Sequence, residues 1–219
     1  MLIDLRKIFV ASLSSVLLAA APAVAAQQSQ SQSQSQSQNT NGYSEQDVLR
    51  IAKEVRKAIL SLPDYGVFDY IHFAIKGKTV ILEGEASRPT LKSGAEKVVK
   101  NIEGVENVQN DIDVLPNSPN DDRIRAAVYR RIYSQPSLQK YTSNRGPRFL
   151  SLTRRTMGIT YDPPIGYNAI HIIVKNGNVT LVGIVDNETD FALAGMEANQ
   201  TPGVFSVEND LQVASKNTK

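Results

Sequence analysis

Few residues of this chain could do chemistry, and its two histidines are the first to consider. His72 and His171 stand 99 residues apart, each within the same alternation of apolar residues. A metal site or a pH switch would need a second ligand or charged partner at a recognised spacing, and neither histidine has one nearby in sequence. We therefore expect both imidazoles to be structural, with no metal or other cofactor bound.

Motifs for catalysis are also missing from the sequence. It contains no G-x-S-x-G, no H-E-x-x-H and no cysteine, which excludes a nucleophile elbow, a zinc-protease helix and any thiolate site. Gly84, Gly104, Gly183 and Gly203 do not belong to a Gly-rich loop with Lys and Ser or Thr, so they predict turns rather than a phosphate cradle. We expect that the protein is not an enzyme.

One segment combines concentrated positive charge with apolar side chains. Between Ile132 and His171 the sequence has several basic residues but only one acidic residue, Asp162, and the apolar residues Leu152 and Met157 lie among the basic ones. Near an anionic bilayer each Lys or Arg contributes about 1 kcal/mol, and neighbouring apolar side chains can enter the interface. The predicted lipid-binding residues are Lys140, Arg145, Arg148, Phe149, Leu150, Arg154 and Arg155. The alternative is a solvated loop whose apolar residues tuck under the second half of the chain.

The overall charge narrows the range of partners. Its formal value at pH 7 is only +2, whereas nucleic-acid-binding domains usually carry a strong basic excess. We therefore expect no nucleic-acid partner.

The N-terminal residues have the composition of a secretory signal peptide. Arg6 and Lys7 precede an apolar run that is shorter than the roughly 20 residues of a transmembrane helix. We predict a signal peptide over residues 1–26, cleaved after Ala25 or Ala26, and a periplasmic or secreted mature protein without a transmembrane helix. The Ser- and Gln-rich residues 27–43 have little to bury and predict a disordered linker.

The rest of the sequence is an internal repeat. Residues 70–114 match residues 169–213 without a gap, and the residues identical in both copies include, in the first, Ile71, His72, Lys76, Val80, Leu82, Gly84, Gly104, Val105, Val108, Asn110, Asp111 and Val114. This predicts two tandem modules, over residues 44–116 and 120–214. The second has an insertion at about 134–166.

Within each module the hydrophobic period changes from helix to strand and back. Apolar residues three or four apart predict an opening helix, and alternation on both sides of a short polar turn predicts a β-hairpin. A second helix and a third strand follow, which gives the order αββαβ. We expect Ser87 to cap the second helix of the first module and Gly104 to end it. Asn110 and Asn209 are expected to tie a strand end to a neighbouring turn.

One face of the second hairpin is more apolar than a face meant for water. It carries His171, Ile173, Thr180, Val182 and Ile184. Either the two modules pack sheet against sheet or something else covers this face. We favour packing inside the molecule over an external protein client.

The repeated pattern resembles the BON domain, named for bacterial osmotically induced and nodulation proteins. It consists of an apolar strand ending in N-G-x-V-x-L-x-G, a helix, and then G-V-x-x-V-x-N-x-L-x-V. In the second module the matching residues are Val179, Leu181, Gly183, Gly203, Val204, Val207, Asn209, Leu211 and Val213, and in the first they are Val80, Leu82, Gly84, Gly104, Val105, Val108, Asn110, Ile112 and Val114.

This resemblance implies an α+β fold in which each αββαβ module has two helices on one face of a three-stranded mixed sheet. It also implies a cell-envelope or osmotic-stress setting, binding to phospholipid or another envelope surface, and no catalytic residues. Gly84, Gly104, Asn110, Gly183, Gly203 and Asn209 would then be structural motif residues. A periplasmic protein-binding or chaperone-like role for the apolar sheet face is the alternative.

Overall fold

A computed structural model describes residues 43–142 and 167–214 of the chain. The described residues form two modules that repeat one order of elements. The first module consists of α1 (Glu45–Leu60), β1 (Tyr70–Lys76), β2 (Thr79–Ala86), α2 (Pro89–Lys100) and β3 (Asn107–Val114). The second consists of α3 (Pro119–Ser134), a 3-10 turn (Gln139–Tyr141), β4 (Ile170–Lys175), β5 (Asn178–Val185), α4 (Glu188–Asn199) and β6 (Ser206–Val213).

Each module contains a three-stranded mixed sheet. In the first, β2 pairs antiparallel with β1 and parallel with β3, and in the second, β5 pairs in the same way with β4 and β6. The hairpin accounts for the antiparallel pair, and the helix between the second and third strands supplies the crossover that a parallel pair needs. The predicted αββαβ order and the α+β fold class are confirmed.

The core of the first module lies between its two helices and one face of its sheet. The buried apolar residues of this core are Ile51, Val55 and Ile59 of α1, Leu91, Ala95 and Val99 of α2, and Ile71, Val80, Leu82, Ala86 and Ile112 of the strands. The helical residues recur every three or four positions and the strand residues every two, as one-sided burial requires.

The helices of the two modules begin in different ways. At the start of α4, the side chain of Asn187 accepts a hydrogen bond from the amide of Asp190 at 2.8 Å. The expected cap at Ser87 is wrong: α2 starts at Pro89 without a side-chain cap, and the buried Ser87 instead donates its amide to Asp69. Proline at the first helical position explains this, because it has no N–H to cap and its φ already suits a helix.

The repeated glycines have two different roles. Gly84 and Gly183 have φ of +111° and +141°, and a Cβ at either would overlap the carbonyl oxygen of Tyr70 or Ala169 on the neighbouring strand. They therefore allow close contact between strands in each hairpin. The prediction that these two glycines form turns is wrong, because both lie within strands. Gly104 does not end α2 directly, because the helix stops at Lys100, and Gly104 shapes the turn that leads into β3.

The repeated asparagines connect the third strand of each module to its second helix. The side-chain amide of Asn110 donates to the carbonyl of Lys92 at 3.0 Å, and that of Asn209 donates to the carbonyl of Phe191, also at 3.0 Å. Both acceptors lie in helices, so the expectation of a bond to a turn is wrong. The hydrogen bond satisfies a polar group that the inward face of the strand would otherwise leave half-buried and unpaired.

Candidate functional site

The two modules meet where a loop of the first enters the core of the second. Val67 and Phe68 follow α1 and are buried among the apolar residues of α3, β4, β5 and β6. The Phe68 ring meets the Tyr129 ring edge-on at 6.4 Å, and the Val67 carbonyl accepts a 2.8 Å hydrogen bond from the amide of Ile172. The loop thus covers the edge of β4 that does not pair with β5.

Asp69 holds this loop in shape. Its buried carboxylate accepts hydrogen bonds from the amides of Gly66, at 2.9 Å, and Ser87, at 2.5 Å. Burial raises the pKa of Asp69 above its ordinary value, although these hydrogen bonds oppose the shift. The loop is therefore positioned by its own module before it contacts the second.

His171 lies beside the same loop. Its Nδ1 donates to the Gly66 carbonyl at 3.2 Å, and its ring is 5.6 Å from the Tyr65 ring and 5.8 Å from the Tyr70 ring. Burial lowers the pKa of His171, while its backbone hydrogen bonds act in the opposite direction. The imidazole is thus part of the contact between the modules.

His72 occupies the equivalent position in the first module but has more exposed surroundings. Its Nε2 is 3.3 Å from the carboxylate of Glu83, and its ring is 5.5 Å from the Tyr70 ring. Tyr70 therefore stands beside both histidines. Within residues 43–142 and 167–214, no three acidic or histidine side chains are arranged to hold a metal ion.

The apolar sheet face of the second module is covered only in part. Ile173 is 4% exposed, Val182 is half-buried and Ile184 is 52% exposed. Two residues beyond Ile173 in β4, Lys175 forms an ion pair with Asp113 of the first module at 3.4 Å. The expected sheet-against-sheet packing thus applies to one end of the face, because the main contact is made by the loop at the edge of β4.

The basic insertion begins and ends at adjacent points. Thr142 and Asn168 form an antiparallel bridge, and the amide of Ala169 donates to the carbonyl of Tyr141 at 2.8 Å. Thr142 and Asn168 are both buried. We call this pair of residues the stem. It joins the insertion to the second module at one place, next to the start of β4.

A hydrogen-bond network lies next to the stem, with Tyr141 and Asp190 buried and Lys140 and Asp186 partly or largely exposed. The Tyr141 hydroxyl donates to the carboxylate of Asp190 and accepts from the amide of Asp186, both at 2.7 Å. Lys140 forms ion pairs with Asp186 at 2.8 Å and with Asp190 at 2.7 Å, and its ammonium lies 5.0 Å from the centre of the Tyr141 ring. The network ties the stem to the first turn of α4.

The charges in this network shift one another's pKa values. Hydrogen bonding to Asp186 and then Asp190 raises the pKa of Lys140. For Asp190, burial favours the neutral form, but hydrogen bonds from Lys140 and Tyr141 outweigh burial and lower the pKa. Lys140 is thus paired with two carboxylates, those of Asp186 and Asp190.

The other predicted lipid-binding residues lie outside the described part of the chain. These are Arg145, Arg148, Phe149, Leu150, Arg154 and Arg155. Of the predicted set, only Lys140 has a described position, and there it bonds to carboxylates rather than pointing freely to solvent.

Comparison with known families agrees with the repeated architecture. The model of the BON domain matches this sequence twice, over residues 47–116 and 158–215, which together are more than half of the chain. The chain belongs to the BON domain family. The first match covers α1 to β3, and the second covers β4 to β6 of the second BON domain.

Two solved structures of a bacterial secretion protein are similar to the tandem BON chain. One is the C-terminal domain of CdsD, the structural protein of the type III secretion system of Chlamydia trachomatis, with 14% identity, a TM-score of 0.25, and coverage of 78% of this chain and 100% of that chain. A second CdsD structure has the same identity and TM-score and covers 77% and 94% of the two chains. This TM-score is too low to carry a conclusion. No curated protein matches the sequence significantly.

None of the helices in the described ranges has the length and apolar character needed to span a bilayer.

Sequence reasoning missed the loop residue that joins the two BON domains and an arginine buried inside the second. Phe68 lies in a stretch that reads as the turn after a helix, and Arg125 lies in a helix that reads as half solvated. Arg125 is instead fully buried, with an ion pair to Asp122 at 2.8 Å and a hydrogen bond to the Val174 carbonyl. The signal for the loop was the apolar pair Val67 and Phe68 in an otherwise polar turn.

Proposed function

We propose that this BON protein is an exported, non-enzymatic envelope protein that binds anionic phospholipid. In this proposal the contact is made by the basic insertion, residues 140–155, in an envelope-stress or osmotic-stress setting. The family is associated with phospholipid binding at the cell envelope. The observation that carries the proposal is the stem, which holds the two ends of an arginine-rich segment together next to the start of β4.

The described charges support a main role for the arginines of the insertion in this proposal. Asp186 and Asp190 offset Lys140, so the protein surface at the stem brings no excess of positive charge. Attraction to an anionic bilayer then depends on Arg145, Arg148, Arg154 and Arg155. We assign Lys140 to the lipid-binding set as the residue that fixes the base of the segment.

A flotation experiment tests this function. Mature protein is mixed with vesicles of phosphatidylcholine alone or of phosphatidylcholine with phosphatidylglycerol, at low and at high salt. We expect binding to the anionic vesicles only, weakened by salt because screening shortens the range of the attraction. Replacing all four arginines by Ala should weaken binding at low salt at least about a hundredfold, at about 1 kcal/mol for each charge.

The chain also offers a matched control. Four exposed cations on the helices of the first module are replaced by Ala, which changes the net charge by the same amount: Lys53, Arg56, Lys97 and Lys100. This variant should keep most of its binding, because the charges it lacks are not on the insertion. Equal loss in both variants would show a general charge effect, and no binding by the unaltered protein would refute the proposal.

A second candidate function follows from the apolar sheet face. Because Ile184 is 52% exposed beside the half-buried Val182, this face could bind an extended protein client. A photo-crosslinker at position 184 tests it with an unfolded periplasmic protein as the probe. Crosslinking to the probe supports the client-binding function, and crosslinking confined to the chain itself contradicts it.

A further inference from the structure

Phe205 is an exposed aromatic residue on a rigid part of the second module. It is 86% exposed, more than any other large apolar residue in the described ranges. It lies in the turn between α4 and β6, and its amide donates a 2.8 Å hydrogen bond to the carbonyl of Gly177 in the hairpin turn. A flexible loop could fold such a ring back onto the surface, but this backbone is fixed with the ring outside.

The two neighbouring turns hold each other in place. Ser206 donates its hydroxyl to the side chain of Asn178 at 2.6 Å. The amides of Asn176 and Gly177 donate to the carboxylate of Asp121, at 3.0 and 2.9 Å. We call the two turns, residues 176–178 and 202–206, the tip. The tip is thus tied to the start of α3 and does not depend on a partner for its shape.

The tip carries no charged side chain. Residues 176–180 and 200–207 contain no Asp, Glu, Lys or Arg. Charged groups lie behind it, with Lys175 paired to Asp113 and Asp121 bonded to the hairpin amides. The exposed Arg123 lies in the first turn of α3, two residues beyond Asp121. An uncharged tip avoids the cost of removing an ion from water, which any apolar environment would impose.

The first module shows that the fold requires neither an uncharged tip nor an exposed aromatic ring at this position. Glu106 occupies the position equivalent to Phe205, and it forms an ion pair with Lys78 of the hairpin turn at 2.5 Å. The Tyr43 hydroxyl lies against the same turns, bonded to the carbonyl of Lys78 at 3.2 Å and to that of Gly104 at 2.5 Å. The same two turns are therefore charged and covered in one module but uncharged and topped by phenylalanine in the other.

A bilayer fits this tip better than a protein surface does. A protein interface usually buries about 800 Å² on each side and places its anchor residues among other contacts. Within the tip as described, Phe205 is the one exposed large apolar residue, and its neighbours are Pro202, Gly203, Asn178 and Ser206. A single protruding ring can still enter the soft interface of a bilayer, where apolar side chains are favoured and no matching surface is needed.

We propose that Phe205 is a membrane anchor that inserts into the bilayer interface when the protein binds lipid. The proposal rests on the lipid-binding function but adds a second contact, away from the basic insertion. The tip and the stem lie at opposite ends of β4, about 20 Å apart at about 3.3 Å per strand residue. The two contacts can therefore be removed separately.

Tryptophan fluorescence gives a direct test, because the chain contains no tryptophan. In the mature protein, Phe205→Trp and the matched control Glu106→Trp are each mixed with vesicles of phosphatidylcholine and phosphatidylglycerol, with and without brominated chains. We expect the emission from position 205 to shift to shorter wavelength and to be quenched by the bromine. The emission from position 106 should remain that of a water-exposed indole.

A third variant measures how much the ring contributes. Phe205→Ser should weaken vesicle binding about three- to tenfold through the loss of apolar area, with the same ratio to the unaltered protein at low and high salt. Its melting temperature should not change, because the ring contributes little to the core. This salt-independent ratio differs from the salt-dependent loss expected for the arginine variant.

The outcomes separate the two proposals. Flotation of the unaltered protein without quenching at position 205 overturns the anchor and leaves the lipid-binding function standing. A lack of flotation with every vesicle overturns both. A shift of emission at position 205 that rises with protein concentration in the absence of vesicles would show contact between copies of the chain, which also overturns the anchor.

Discussion

The two histidines show how one repeated residue acquires different properties. His72 lies beside the Glu83 carboxylate on a face that water reaches, whereas His171 contacts Tyr65, Tyr70 and the Gly66 carbonyl of the other module. Their positions in the repeat are the same. The difference comes from Tyr65 and Gly66 of the loop, which contact His171, and from the residue opposite each histidine, which is Glu83 for His72 and Val182 for His171.

This difference predicts a pH dependence that belongs to His171. Burial lowers its pKa below the ordinary value of 6.5, so the unfolded chain takes up this proton at a higher pH than the folded chain does. Stability from this residue is complete above about pH 6.5 and falls as the pH drops towards the folded pKa, by at most about 1.4 kcal/mol per pH unit for one proton.

The measurement compares urea unfolding of the unaltered protein, His171→Gln and His72→Gln at about pH 7.5 and pH 5.5, on either side of the ordinary histidine pKa. We expect His171→Gln to have the smaller pH dependence and His72→Gln to behave like the unaltered protein. The same pH dependence in all three proteins would show that His171 is not responsible.

Among the elements, the loop between α1 and β1 contributes most to the way the modules join. Its conformation is set by Asp69, which binds the amides of Gly66 and Ser87, and its apolar residues Val67 and Phe68 are buried in the second module. A loop that satisfies its own polar groups can expose an apolar pair without losing backbone hydrogen bonds. The partner module then covers that pair.

Removing an apolar side chain from this loop should therefore destabilise the second module rather than the first, to which the loop belongs. Phe68 is 1% exposed, and Phe68→Ala should cost about 3–5 kcal/mol, the usual range for a buried phenylalanine. Hydrogen exchange should show faster exchange in α3 and β4, while α1 and α2 stay protected.

Phe73→Ala is the matched control, because Phe73 packs against the core of the first module. Its effect should appear in α1 and α2 instead. If Phe68→Ala acted on the same helices as Phe73→Ala, the assignment of the loop to the second module's core would be wrong.

The two modules have repeated sequences, but their hydrophobic cores are not built in the same way. The core of the first module consists of its own residues, whereas the core of the second includes Val67, Phe68 and Leu115 from outside it. Each module alone is small enough that the loss of three buried apolar residues is a large fraction of its stability.

This asymmetry predicts unequal behaviour of the separated modules. A fragment of residues 43–116 should fold with a cooperative urea transition. A fragment of residues 118–214 should be much less stable than the same region of the intact chain, because its core and the open edge of β4 are uncovered. Circular dichroism during urea unfolding measures both, and a second fragment as stable as the first would contradict the prediction.

The αββαβ order and the short polar turn of each hairpin could be predicted from sequence because each depends on residues close together in the chain. The spacing of hydrophobic residues and the residue types of a turn are visible over a few positions. Because the pattern occurs in both modules, each copy supports the interpretation of the other. The turns expected at Gly84 and Gly183 were wrong, because the close contact that each makes with a neighbouring strand leaves no local pattern in the sequence.

Neither the contact between the modules nor the ion pairs of Lys140 could be predicted in this way. The contact of Phe68 with Tyr129 and the ion pairs of Lys140 with Asp186 and Asp190 join residues that are far apart in sequence. Such pairs leave no local pattern, since they depend on how two finished surfaces fit together. Folding in three dimensions therefore decided which histidine contacts the other module, which lysine is paired with two carboxylates and that the ring of Phe205 stays exposed.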